Sequence, residues 1–319
     1  LAETRDIAIL VPGMLHPHAR ERIAGCFELV TLDKADPALV TEEMAARVRG
    51  MAAMTVVDAA FIDALPHLEI IANFGVGYDA VDAAHAGRRD VMVTNTPDVL
   101  TEEVADTAVG LLLNAVRELP RAETWLREGR WARDGAYRFS RGSLRGRIVG
   151  IFGMGRIGRA IAQRLAAFGL PIAYHNRRKL DDVPYVYHDT LPGLAAAVDT
   201  LICVAPGGPE THRAVNADVF EALGANGVFV NIGRGSTVDE TALIQALQSG
   251  TIFAAGLDVF ENEPHVPEAL IALENASLLH TWDRPRLRHA RLWRIWWSTI
   301  LSPGSHRTAQ SHLFLRPAM

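Results

Sequence analysis

Gly153-Met154-Gly155-Arg156-Ile157-Gly158 is the stretch of this 319-residue chain whose spacing points most directly to chemistry. This G-x-G-x-x-G run follows the apolar segment RIVGIF and opens the amphipathic segment RAIAQRLAAFG, with another apolar segment, PIAYH, behind it. Strand, glycine turn and helix in that order predict a dinucleotide cradle; a plain strand–helix turn is the bland alternative. Gly153 permits the tight turn, and Gly158 lets helix and strand pack closely. Gly155 lets backbone amides, including those of Arg156 and Ile157, approach a pyrophosphate at the helix N-terminus. The second strand ends in His175-Asn176-Arg177-Arg178. A site for NAD places Asp or Glu there to hold the ribose 2′-hydroxyl. Here there is no acid, and two guanidiniums are available for a 2′-phosphate, which favours NADPH over NAD; an exposed basic loop is the other reading.

Three further stretches place reactive side chains or amides at strand ends. VNIGRGSTVDE puts Arg234 just past an apolar run, where open α/β sheets bind ligands. A planar, permanent charge suits a carboxylate beside a carbonyl, although a surface ion pair would use the same residue. GLDVFENEP brings Asp258 and Glu263 to the end of the next run. NFGVGYD offers the Val76 and Gly77 amides as an anion nest, or simply a loop that ends a strand.

The elements that must position these groups alternate. DIAIL, FELVTL, LEIIAN and VMVTN read as strands; HARERIAG, TEEMAARV and VDAAFIDAL read as helices. Thr101 is a plausible N-cap, with Glu102 and Glu103 in the first turn of a long helix, VADTAVGLLLNAVREL, that reads as a bridge between domains. A second alternation runs from RIVGIF to FAAGLDVF. The expected fold is α/β: two doubly wound parallel-sheet domains, the second a Rossmann dinucleotide-binding domain.

Bulk properties narrow the classes. No apolar run is long enough to span a bilayer, and two distant cysteines, Cys26 and Cys203, fit a reduced cytoplasm rather than a disulfide or zinc scaffold. No metal, membrane or nucleic-acid partner is expected. The start shows neither a signal peptide nor an initiator Met, so a few residues are expected to be missing.

As an ordered set, FGVGYD, GMGRIG, VNIGRG and GLDVFENEP resemble the D-2-hydroxyacid dehydrogenase family over residues 1–279, most nearly its NADPH-dependent glyoxylate/hydroxypyruvate and hydroxyphenylpyruvate reductases. The resemblance implies a substrate domain at 1–98, completed by a returning C-terminal segment, and a cofactor domain at 99–279, with the active site in the cleft. It implies that Arg234 binds and polarises a small 2-oxo acid, and that Glu263 pairs with a proton-donating histidine. The Val76 and Gly77 amides hold the carboxylate, and Asp258 seats the carboxamide. Leu100 and Trp131 shape the pocket, and the protein is a homodimer. A dinucleotide-sensing corepressor without turnover is the alternative in the same family.

Residues 280–319 break the pattern. They hold seven Arg, a single acid (Asp283) and four of the six Trp, while the remainder carries 25 basic and 36 acidic residues. Such a change of composition needs a cause. The family has Pro-His then Gly-Ser-Ala-Thr after NASLL; here the text is LLHTWDRP. Read one frame over, each codon's third base joins the first two bases of the next. The codons from His280 to Arg286 then permit His-Met-Gly-Ser-Ala-Thr, with Gly forced at Trp282/Asp283. Those from Trp293 to Ile300 permit Ala-Asp-Leu-Val-Val-Asp-Asn, with Val forced at Trp296/Trp297. The expectation is one nucleotide lost near codon 280 and an aberrant tail, irregular or loosely packed. The other reading is a basic amphipathic helix, RHARLWRIWW, for membranes or acidic partners. His280 is the one histidine near the catalytic place, but it stands at the family's proline position.

Overall fold

The computed structural model describes residues 6–96, 98 and 100–280. The chain divides into two compact units between Val99 and Leu100.

The first unit holds strands β1 (Ala8–Pro12), β2 (Glu28–Leu32), β3 (Val48–Ala53), β4 (Ile70–Asn73) and β5 (Met92–Thr94). They form one parallel sheet in the order β2-β1-β3-β4-β5. Successive side chains of a strand face opposite ways. On β1, Ala8 and Leu10 join Phe61 and Ile62 of the helix Ala59–Asp63, while Ile9 and Val11 join Ile23 of the helix Pro17–Cys26. Both faces are therefore covered, which is why β1 is apolar throughout.

The second unit holds β6 (Val149–Phe152), β7 (Ile172–His175), β8 (Val186–His188), β9 (Thr200–Cys203), β10 (Val228–Asn231), β11 (Ala254–Leu257) and β12 (Ala276–Leu278). The order is β12-β11-β10-β9-β6-β7-β8, again all parallel. On one face Phe229 packs with Leu194, Phe220 and Leu243; on the other Val228 and Val230 pack with Leu111 and Ile161. Strand order reverses at β6, with β7 on one side and β9 on the other, so the switch point of the sheet lies there. Arg147 pins the start of β6: its guanidinium donates to the carbonyls of Ser143 (2.9 Å), Asp199 (3.0 Å) and Asn226 (3.1 Å).

The architecture is the expected one, and the differences are local. The helix read through Val48 stops at Arg47, and β3, absent from the sequence reading, takes the centre of the first sheet. Its VRGMAA has few β-branched residues because small ones are required there: a Cβ on Gly50 would stand 2.7 Å from Ile9 Cδ1. Thr101 does not cap its helix. Leu100 takes the N-cap position without a side-chain bond, and Thr101 is the first helical residue. That helix, Thr101–Arg117, lies in the second unit and ends where Glu118 turns left-handed (φ 55°). Pro120 then helps to start a separate helix, Leu119–Arg127, followed by Arg130–Asp134. No helix among the described residues is long and apolar enough to cross a membrane. The expectations for residues 281–319 lie outside the described residues.

Candidate functional site

The glycine turn sits at the C-terminal end of β6, at the switch point. Gly153 has φ +105°, and a Cβ there would meet Ala205 N and Val204 C at 2.9 Å, just past β9. A Cβ on Gly158 would lie 2.3 Å from Gly153 O. Both positions therefore exclude a side chain because the protein's own backbone fills the space. Gly155 differs: a Cβ there meets nothing within 4 Å. It is the N-cap of the helix Arg156–Ala167 and provides no side-chain cap. Arg156 is exposed and Ile157 half-buried at the start of that helix, whose first N–H groups have no partner within the helix. An uncapped helix N-terminus beside room for a ligand fits a nucleotide pyrophosphate.

The residues at the end of β7 have separate roles. Asn176 Oδ1 accepts the Met154 N–H at 2.7 Å, so this side chain braces the glycine turn. The His175 ring packs 5.6 Å from Phe152 and pairs through Nδ1 with His188 O at 2.9 Å. Arg177 and Arg178 are exposed; Arg177 donates to Glu210 at 2.8 Å. Thus of His175, Asn176, Arg177 and Arg178 only the two arginines are exposed.

Arg234 follows β10 on a tightly held turn. Its carbonyl accepts from Asn231 Nδ2 (3.0 Å) and Thr237 Oγ1 (2.6 Å), and Asn231 Oδ1 accepts the Gly233 N–H (3.0 Å). A Cβ on Gly233 would stand 2.7 Å from Ala205 O, and one on Gly235 would stand 1.8 Å from Phe260 O. The turn is wedged between two neighbouring segments, and that fixes where the Arg234 side chain begins. Asn231 and Thr237 were not singled out from sequence; the one signal was a polar residue inside the apolar run VFVNI.

Asp258 is half-buried at the end of β11, its N–H donating to Asn231 O at 3.0 Å. Glu263 is exposed and accepts the Phe260 N–H at 2.9 Å rather than an imidazole. His280 is exposed one residue beyond Leu279, whose N–H donates to Leu257 O at 2.8 Å. Leu100 is buried, and Trp131 is 62% exposed. In the first unit Val76 and Gly77 lie on the loop between β4 and the helix Ala83–Arg88, and no described group accepts from their N–H groups. In the second unit Cys203, the last residue of β9, is fully buried, which pushes its thiol pKa up and keeps it inert.

A parallel sheet with an uncapped glycine turn at its switch point defines a dinucleotide-binding α/β protein. Comparison with known proteins narrows this. Residues 109–280 match the D-isomer specific 2-hydroxyacid dehydrogenase NAD-binding domain, the match ending where the composition changes. The chain is 47% identical over 222 residues, 70% of each chain, both to hydroxyphenylpyruvate reductase of Plectranthus scutellarioides and to glyoxylate/hydroxypyruvate reductase A of Arabidopsis thaliana. A crystal structure of NADPH-dependent glyoxylate/hydroxypyruvate reductase from Sinorhizobium meliloti, in complex with NADP and malonate, is 51% identical with a TM-score of 0.89. It covers 98% of this chain and 100% of its own. The chain belongs to the D-isomer specific 2-hydroxyacid dehydrogenase family and is a nicotinamide-dependent oxidoreductase.

Proposed function

We propose that the protein reduces small 2-oxo acids of the glyoxylate and hydroxypyruvate type to D-2-hydroxy acids, with NADPH in preference to NADH, as a cytoplasmic homodimer. The observation that carries the cofactor preference is the pair of exposed arginines, with no acid, at the end of β7. On the turn that Gly153 and Gly158 shape, Gly155 with the Arg156 and Ile157 amides would hold the pyrophosphate. Arg177 and Arg178 would hold the 2′-phosphate, and Asp258 the carboxamide. When bound, the nicotinamide supplies the hydride. Arg234 fixes the substrate and draws electron density from its carbonyl. The Val76 and Gly77 amides offset the carboxylate charge. Glu263 serves to orient a protonated imidazole.

That imidazole is where this chain departs from its family. His280 stands one residue early, and consecutive Cα atoms lie about 3.8 Å apart. A displacement of about 1 Å can cost about a hundredfold in rate. NADPH binding is thus retained in the chain as written while turnover is low, and the sequence after Leu279 reads out of frame.

The test compares this chain with one from a gene carrying a single restored nucleotide after codon 279. Both are expected to bind NADPH about tenfold or more tighter than NADH, by nucleotide fluorescence, since each lost charge-assisted bond is worth about 1.5–3 kcal/mol. With glyoxylate or hydroxypyruvate, kcat is expected to rise about a hundredfold on restoration. Equal affinities for the two nucleotides overturn the cofactor preference. No turnover with any 2-oxo acid by either version turns the reading toward nucleotide sensing.

A further inference from the structure

We propose that Asn95 and Asn73 are positioning residues that preform the substrate's carboxylate nest, and that the nest has a third donor, the Tyr78 N–H. This rests on the reading that the loop after β4 receives the carboxylate.

The loop is held from beneath by its carbonyls. Gly75 O accepts the Thr96 N–H at 2.9 Å, Val76 O accepts Asn95 Nδ2 at 2.6 Å, and Gly77 O accepts Asn73 Nδ2 at 2.8 Å. In a trans peptide the C=O of one residue and the N–H of the next point in opposite directions across one plane. Tying down three successive carbonyls therefore turns three successive N–H groups, those of Val76, Gly77 and Tyr78, the other way. None of these three has an acceptor among the described residues. Successive convergent N–H groups are an anion site. Asn73 is 5% exposed, so its amide is a fixed part of the unit rather than a mobile surface group. Thr96 sets the Val76 donor and Asn95 the Gly77 donor, while Asn73 sets the Tyr78 donor and also reaches Gly75 O at 3.5 Å. A loop without these tethers would have to order its amides when the anion binds.

The experiment uses the full chain saturated with NADPH and titrates malonate by calorimetry. Asn95→Ala removes the donor to Val76 O without adding a charge beside the nest, and Asn73→Ala does the same for the donor to Gly77 O. Each is expected to weaken malonate roughly tenfold, the loss of about one charge-assisted bond, with the NADPH Kd of the parent. Gly77→Pro deletes one nest N–H directly and is expected to weaken malonate as much. If Gly77→Pro weakens malonate and the folded Ala variants bind it like the parent, the positioning role is wrong while the loop remains the carboxylate site. If the parent does not bind malonate, or Gly77→Pro binds it like the parent, the loop is not that site and both readings fall. Weakened malonate together with an equally weakened NADPH Kd marks a general structural role and also overturns the proposal.

Discussion

Gly155 and Gly158 are three residues apart, yet the same added methyl meets different things at each. At Gly158 it would lie 2.3 Å from the Gly153 carbonyl oxygen, a backbone atom that cannot swing away. Gly158→Ala must lift the helix off its strand, and overpacking of this kind costs about 1–3 kcal/mol. Its melting temperature is expected to fall without any nucleotide present. At Gly155 the methyl meets nothing within 4 Å, and φ of −81° suits alanine. Gly155→Ala is expected to melt like the parent but to bind NADPH roughly tenfold more weakly, because the space it fills is the ligand's. Melting curves with and without NADPH separate the two, and unchanged NADPH affinity in Gly155→Ala would show that the phosphates do not approach that amide. These glycines were legible in the sequence because their spacing is itself the geometry of the turn. Asn73, Asn95, Asn231 and Thr237 were not. Each acts by bonding a backbone carbonyl or amide in a turn, which leaves no periodic trace.

At the level of elements, alternation exposed most strands and helices, and its failures have a physical pattern. β3 was hidden because a central strand under Ile9 and Ile70 must be small there, and Gly50 reads as a breaker. β8 is a three-residue edge strand, too short to show alternation. The helix Glu240–Ser249 was legible, yet the state of its first residue was not. Asp239 caps it, accepting the Ala242 N–H at 3.0 Å. Glu240 is buried and accepts the Glu261 N–H at 3.3 Å; beside it Glu261 pairs with Arg213 at 2.6 Å. Burial raises the Glu240 pKa, outweighing the backbone bond that lowers it, and the nearby Glu261 charge adds to the rise. A carboxyl with a raised folded pKa holds its proton more firmly when folded. Its penalty is therefore absent in acid, enters as pH rises past the ordinary carboxylate range, and is complete above the raised value. Glu240→Gln keeps an oxygen for the Glu261 N–H and removes the titration. It is expected to be more stable than the parent at about pH 8, with the difference shrinking toward about pH 5. Urea midpoints across that range check it; a gap that does not change with pH removes the Glu240 charge as its cause.

For the whole molecule, the expectation is a dimer, and the second unit shows a surface suited to it. Leu119 is 46% exposed, Leu126 55%, Trp131 62% and Phe139 98%, all within one stretch that begins where Glu118 breaks the long helix. Isolated exposed apolar residues need no explanation, but four large ones close in sequence mark a surface that water should not cover. The sequence reading ends the long helix at Leu119 and gives this stretch no element of its own, because the left-handed turn at Glu118 and the new helix from Leu119 leave no periodic signal that separates them. Its partner chemistry follows from its composition: apolar anchors set among Arg121, Glu123 and Arg127 suit a self-complementary contact in which each copy offers both signs of charge. Sedimentation equilibrium at micromolar concentration is expected to give twice the 34.8 kDa chain mass. Phe139→Glu places a charge where the side chain is most exposed, so it leaves the fold of the isolated chain intact. It is expected to raise the dimer Kd by about a hundredfold to a few thousandfold, the effect of a buried unpaired charge of about 3–5 kcal/mol, with the NADPH Kd held. A parent that sediments as a monomer, or a Phe139→Glu chain that dimerises as tightly as the parent, assigns this apolar stretch to something other than a second copy.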